Sequence, residues 1–343
     1  MLSKFNNSDH YLSREHHTQS FGANLTPALR VKAGQLIHVQ TWDCYKGQVL
    51  TEADLIKEIA DEFINPATGP IYIEGAEPGD TLAVHFISIE PREAWGVSTT
   101  VPFFGALTST PTTATLQPAL LERTWIYELD LKERLVRYAA ADTKFTAALP
   151  LDPMHGTVGV APALGEVRSS LTPGDWGGNM DTPEMRAGVT CYLGVNVEGA
   201  LFSFGDGHAR QGEGETCGVA VETAMDTVLI LDLIKGAPTP WPRIESDDYI
   251  ITTGSTKPLE DAFRIAHSEM VHWVSELTGQ STLDSYQFVS QTALTPFANV
   301  VDTNYTMVAK VAKEYLGSVN IMQGMHQKML ARAAQWRDYQ KGK

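Results

Sequence analysis

Between Gly174 and Met225 the sequence gathers side chains that could do chemistry. Asp181 closes the run Gly177-Gly178-Asn179-Met180-Asp181. His208 sits in Gly205-Asp206-Gly207-His208-Ala209-Arg210-Gln211-Gly212-Glu213-Gly214-Glu215, and Glu222 lies in an otherwise apolar run from Val219 to Met225. Asp43, far upstream, adds a third carboxylate. Carboxylates with an imidazole make general acid–base pairs or metal-ligand sets. No two of the four fall within one helical turn, so only the fold can bring them together. A lone Asp or His in a loop is most often a turn residue. Glu222 carries a stronger signal, because a carboxylate in an apolar strand is costly unless paired, protonated or bound to a metal. Its same-face neighbours Ala220 and Ala224 are small and leave room above it. The competing reading is a buried salt bridge to one of the 26 Lys and Arg residues.

The surrounding pattern predicts the elements that must position these groups. Apolar residues at the odd positions of Val189 to Val197 predict a strand with one buried face. Glu198-Gly199 predicts a tight turn, and Ala200 to Phe204 a returning strand that completes a hairpin. Val219 to Leu231 reads as a further strand. Upstream, Val31 to Thr41 and Thr81 to Ile89 are strand candidates, and Trp125 to Ala139 suits two strands. Leu55, Ile59 and Phe63 give Leu50 to Phe63 the spacing of a short helix. The Thr-, Pro-, Gly- and Phe-rich stretch from Trp95 to Thr115 has no period and suits an ordered insertion over a pocket.

After about Gly254 the spacing becomes helical. Helices are expected over Leu259 to Leu277 (closed by Gly279), Ser281 to Leu294, Met307 to Leu316 and Met322 to Tyr339, with a short strand at Phe297 to Val301. Met322, Met325, Met329 and Trp336 share one face of the last helix, which suits core or subunit contact. The expected division is an arm over 1–30, a β-rich core over 31–254 and a mostly helical region over 255–343.

The 343 residues are 43% hydrophobic and 20% charged, enough for a large core. A formal net charge of −15 without a long basic run argues against nucleic acid and anionic membrane as partners. Three cysteines, Cys44, Cys191 and Cys217, make no even disulfide framework. No apolar run suits a signal peptide or a membrane span, so a cytoplasmic protein is expected. The sequence has no G-x-S-x-G elbow, Walker loop, H-E-x-x-H or C-x-x-C pair.

Several stretches together resemble the acetamidase/formamidase family. They are Thr41-Trp42-Asp43-Cys44-Tyr45-Lys46-Gly47-Gln48, the run from Asn65 to Asp80, His155-Gly156-Thr157-Val158-Gly159-Val160-Ala161-Pro162, Gly177 to Asp181, and Gly205 to Glu215. The resemblance covers about residues 30 to 310. It implies a mainly β fold, a sandwich-like β core with smaller α/β additions, and here C-terminal helices besides. It also implies a metal-centred site, homo-oligomers, and hydrolysis of short aliphatic amides to a carboxylate and ammonia.

Amide hydrolysis needs the carbonyl polarised, water activated and the departing nitrogen protonated. No activated Ser or Cys is evident, so a divalent metal is the economical solution. Asp43, Asp181 and His208 are the expected ligands. Zinc suits His and carboxylate together, and calcium or magnesium suits the oxygens. Glu222 is then a fourth ligand or the general base. Asn179 and the backbone amides of Gly177 and Gly178 are candidates for the oxyanion. Two other readings compete: a thiol amidase using Cys44 or Cys217, and a non-catalytic β protein that binds a small ligand.

Overall fold

Two large β-sheets pack face to face in the computed structural model, which describes residues 8–59, 64–107 and 119–341. The first has nine strands. Across the sheet they run His10–Leu12, Gln35–Thr41, Met225–Ile234, Thr81–Pro91, Thr190–Gly194, Arg243–Glu245, Tyr249–Thr256, Tyr305–Ala312 and Phe297–Asn299. The second sheet has eleven. Its main path is Thr146–Pro150, Leu135–Ala139, Arg123–Asp130, Trp95–Thr100, Val221–Glu222, Phe202–Arg210, Met154–Gly159 and Gly177–Asn179. The strand Ala67–Glu74 also pairs with Phe202–Arg210, and carries His17–Thr18 and Leu29–Lys32 on its other side. The expected β sandwich is therefore the observed architecture.

The core lies between the sheets. Ile37, Val39, Val84, Phe86 and Leu229 from the first meet Ile71, Ile73, Val158, Phe202 and Phe204 from the second, all with essentially no exposed surface. Side chains that alternate across a strand put one face of each sheet into this layer.

Helix α1, Leu259–Thr278, lies on the strands Tyr249–Thr256 and Tyr305–Ala312. Ala262, Ala266, Met270, Trp273 and Val274 bury its inner face, at the spacing of one helical stripe. The contact is close: a Cβ on Gly254 would stand 2.4 Å from the Ala262 carbonyl oxygen. The helix ends at Gly279, which takes the left-handed conformation with φ 72°, as the sequence suggested. Helix α2, Thr282–Thr292, packs beside it, its Ser281 hydroxyl capping the Asp284 amide.

Helix α3, Met325–Lys341, covers the outer face of the nine-stranded sheet. Met325, Met329, Ala333 and Trp336 bury against Leu36, Ala83, Ile87, Tyr192, Val228 and Ile230. The methionine stripe thus serves the chain's own sheet. Strands from both sides of position 254 share that sheet, so the C-terminal region packs as part of the sandwich.

Several local expectations differ from the structure. Thr190–Gly194 and Phe202–Arg210 do not form a hairpin. The chain turns through Ala200 and Leu201, both at positive φ, and crosses from one sheet to the other. The stretch expected as a helix over 307–316 is the strand Tyr305–Ala312 followed by a short 3-10 turn. Covered by α1 on one face and facing the core on the other, that strand is apolar nearly throughout. Such a run does not reveal its period. In place of a helix over 50–63 there is one 3-10 turn, Ile56–Glu58; residues 60–63 lie outside those described. The expected insertion over 95–115 begins as a paired strand, Trp95–Thr100; its residues from 108 on lie outside those described.

Candidate active site

The strand Phe202–Arg210 is the backbone of the site. Asp206 and His208, two residues apart, point to the same face. His208 pairs in register with Glu222 on the next strand. On the other side of Phe202–Arg210 lies Met154–Gly159, whose Gly156 faces the cluster. Asp181 follows the strand Gly177–Asn179, which pairs with Thr157–Gly159.

Five carboxylates converge here: Asp181, Asp206, Glu215, Glu222 and Asp302, each less than a tenth exposed. They line one cavity of about 230 Å³ together with Cys44, Tyr45, Asn65 and Asn179. His208 Nε2 lies 3.3 Å from Asp206 Oδ1 and 3.3 Å from Glu222 Oε2. Its Nδ1 is held by the Gln211 side chain at 2.9 Å. Among the described residues, His208 is the only cationic side chain that pairs with any of the five. Such an excess of buried negative charge calls for protons or a metal ion.

The electrostatics follow from that excess. Burial, with Glu215 and Asp302 nearby, pushes the Asp181 carboxyl well up, and burial does the same to Glu215. Burial raises Asp302 to about 6 and Glu222 to about 7. Asp206 goes the other way: burial would raise it, but the facing His208 holds it below the usual range. His208 is in turn pushed well up, because Glu222 and Asp206 outweigh its own burial.

Backbone geometry shows how tightly the cluster is drawn. Asp181, Asp206 and Glu215 all take positive φ, at 44°, 56° and 45°. Non-glycine residues rarely do so, and they cluster at functional sites when they do. A Cβ on Gly156 would stand 2.2 Å from Asp181 Oδ1 and 2.4 Å from Asp206 Oδ2. Only glycine lets those two carboxylates close over that strand.

Three of the predicted residues, Asp181, His208 and Glu222, come together. Asp43 does not join them. Its Oδ1 accepts from the Tyr45 amide and its Oδ2 from the Gly47 amide, both at 2.9 Å, so it closes its own loop. Asn179 reaches the site in a positioning role. Its amide group donates to Asp181 Oδ2 at 2.9 Å and to Asp302 Oδ2 at 2.7 Å, and its Oδ1 accepts from Thr157 and Asn65. Both of its hydrogens are engaged, so it has none left for an oxyanion. The Gly177 amide likewise donates to Gly174 O.

Sequence reasoning passed over Asp206, Glu215, Asp302 and Asn299. Asp206 was within reach of it, since Asp206 and His208 have the i, i+2 spacing of one strand face. Asn299 donates to Asp181 Oδ2 and Asp302 Oδ2, mirroring Asn179. It lies 118 residues from Asp181, and no local pattern marks it.

The residues fit a divalent ion. Asp181 Oδ1, His208 Nε2 and Glu222 Oε2 are buried and without a hydrogen-bond partner. One ligand atom each from Asp181, His208 and Glu215 lie within 4.8 Å of one another, and so do those of Cys44, Asp206 and Glu222. Carboxylate, imidazole and thiol together are the donors that zinc takes, while the oxygens alone suit harder ions.

The family profile of acetamidases and formamidases matches residues 7–162 and 98–266. The chain belongs to the acetamidase/formamidase family. The crystal structure of an acetamidase from Yersinia enterocolitica superposes with a TM-score of 0.84 at 37% identity, over 90% of this chain and 93% of that one. An acetamidase structure from Bacillus halodurans gives 0.81 at 30%, over 90% and 100%. The acetamidase of Mycolicibacterium smegmatis is 29% identical in an alignment 265 positions long that covers 62% of this chain and 64% of that relative. The matches to curated relatives span less than two thirds of the relatives' length. Membership accounts for the sandwich, and Asp181, Asp206, His208 and Glu215 sit on the segments through which the sequence resembled the family, with Glu222 and Asp302 outside them. Among the described residues no helix is long and apolar enough to cross a membrane.

Proposed function

We propose that this family member hydrolyses short aliphatic amides to a carboxylate and ammonia at the carboxylate–histidine cluster, with a divalent metal ion bound there. The observation that carries the proposal is the set of buried atoms Asp181 Oδ1, His208 Nε2 and Glu222 Oε2, none with a hydrogen-bond partner, beside a cavity in a chain of this family. Asp181, His208 and Glu215 would hold the ion, with Asp206, Glu222 and Cys44 as the adjoining donors. When bound, such an ion polarises the amide carbonyl and lowers the pKa of water.

The protein's own groups do the rest. Asn179 and Asn299 hold Asp181 and Asp302 from two sides and fix where their free oxygens point. Glu222, whose buried Oε2 has no hydrogen-bond partner, can take a proton there from the attacking water and return it to the departing nitrogen. In the metal-free protein a protonated His208 faces the same oxygen and stabilises the charged carboxylate. The carboxylates are buried, so a proton moves between groups already in place.

A thiol mechanism is less well supported. Cys44 does line the cavity, but burial together with Glu222 and Asp206 pushes its thiol well up, away from the nucleophilic thiolate. Cys217 is exposed. All three cysteines are free, which accords with work in the reducing cytoplasm.

We also propose a homo-oligomer. With the methionine stripe of α3 covered, the support lies on α1, α2 and the loops beside them, where Phe263, Leu283, Tyr286 and Leu294 stand exposed. Light scattering that gave the mass of one chain would remove this part.

Elemental analysis of the purified protein, with ammonia release from formamide and acetamide before and after a chelator, tests the central reading. Stoichiometric metal and chelator-sensitive release are expected. Release that survives complete metal loss, yet stops with iodoacetamide, would favour the thiol.

A further inference from the structure

We infer that the cavity takes primary amides with an apolar acyl chain of about four to five carbons in preference to formamide or acetamide. The inference rests on the proposed amide hydrolysis and names the substrate class within it. Besides the carboxylates, the cavity is lined by apolar side chains: Ile56, Ile64, Val101, Phe104, Leu171 and Val219. All six are half-buried, not packed away in the core. They come from separate loops that meet only here: the turn at Ile56–Glu58, the segment before Asn65, the stretch after Trp95–Thr100, the loop after Val167–Ser169 and the approach to Val221–Glu222.

Two glycines place the largest of these side chains. A Cβ on Gly218 would stand 2.4 Å from the Phe104 ring, and one on Gly105 would stand 2.8 Å from the Cys217 carbonyl oxygen. The backbone thus lets the ring settle against Gly218 as part of the cavity wall. Phe104 and Val219 also line an outer cavity of about 620 Å³, so a tail that outgrows the inner space has somewhere to go.

Volume decides the length. A cavity of about 230 Å³ holds roughly seven or eight groups, at about 30 Å³ for each water-sized group. Acetamide and one attacking water amount to five such groups. About two or three remain, and six of the residues that line the cavity are apolar. A formamide-sized substrate would leave those side chains wet, whereas two or three further methylenes would cover them. Each methylene so buried raises kcat/KM about fourfold, which makes pentanamide better than acetamide on the order of 50-fold.

The test is ammonia release by the purified, metal-loaded protein from the unbranched series formamide to hexanamide, read as kcat/KM. A rise to pentanamide that levels off at hexanamide is expected. A flat series, or one that peaks at formamide or acetamide, overturns the inference and leaves amide hydrolysis standing. No release from any member by folded, metal-loaded protein overturns both. Leu171→Phe gives a second measure, since Leu171 lines the cavity and a larger ring would take up part of its volume. It should lower kcat/KM for pentanamide at least tenfold more than for acetamide. Equal losses would place Leu171 outside the acyl site and count against the inference.

Discussion

His208 and Glu222 face each other in register across two neighbouring strands, with Nε2 3.3 Å from Oε2 and neither atom hydrogen-bonded. The other oxygen of Glu222, Oε1, accepts from the Ala220 amide at 3.0 Å. One end of this carboxylate is therefore structural and the other is free for a proton or an ion.

That division sets up the first prediction. Glu222→Gln can keep the Ala220 hydrogen bond through its remaining oxygen and present an amide nitrogen where Oε2 was. Folding should be nearly unchanged, while kcat falls by a factor of roughly 10² or more. Thermal melts and ammonia release on the one variant separate the two effects. A folded, metal-loaded variant with near wild-type turnover would take Glu222 out of the mechanism.

The second prediction links metal to pH. In the metal-free protein burial raises Glu222 to about 7 and Asp302 to about 6, above the value of about 4 that a carboxyl has unfolded. Between those values the folded state binds more protons than the unfolded one. These groups therefore lower stability as pH rises from about 4 to 7. A bound divalent ion favours the ionised forms and offsets that loss. The Tm gained on adding zinc should thus be larger at pH 8 than at pH 5.5. A gain independent of pH would mean that the ion binds elsewhere.

How much of this was legible in the sequence depended on range. Glu222 stood out because a carboxylate between Val221 and Ala224 has no cheap structural reason to be there. Asp181 and His208 stood out through the glycines beside them. Asp206 was lost because the run from Gly205 to Glu215 reads as a glycine-rich loop, although Phe202–Arg210 continues as one strand. Its glycines serve close approach: a Cβ on Gly205 would stand 2.5 Å from the Pro66 carbonyl oxygen, and one on Gly207 would stand 2.7 Å from that of Thr223. Asn299 lies in the strand expected at Phe297 to Val301 and Asp302 just beyond it, and both reach the site through the packing of Phe297–Asn299 at the edge of the nine-stranded sheet, which no local pattern shows. The sandwich itself was legible through the resemblance, but which strands pair was not. Thr190–Gly194 and Phe202–Arg210 are close in sequence and belong to different sheets.

Gly156 supplies the third prediction. Its φ lies outside the positive region, so alanine meets no backbone strain there. The added methyl would instead collide with Asp181 Oδ1 and Asp206 Oδ2 and push the two carboxylates apart. Gly156→Ala should fold, bind metal weakly and lose at least 10² in kcat/KM. Normal metal content and turnover would show that the two carboxylates need not approach so closely.

The last prediction concerns Asp43, which the sequence offered as a ligand and the structure places in a loop. Both of its oxygens are occupied by the backbone amides of Tyr45 and Gly47. The loop they close presents the Cys44 carbonyl to the Asn65 amide at 2.6 Å, and the Asn65 side chain donates to Asn179. Asp43 thus touches the site through two intermediaries. Removing a buried acceptor of two hydrogen bonds costs about 2–3 kcal/mol. Asp43→Ala should therefore melt earlier and lose some turnover through a displaced Asn179, yet bind metal at the wild-type stoichiometry. Asp43→Asn can keep one of the two bonds and should fall between. Had Asp43 been a ligand, both variants would lose metal while the loop stayed intact. Elemental analysis of the two, read beside their melting curves, decides between these roles without any measurement of activity.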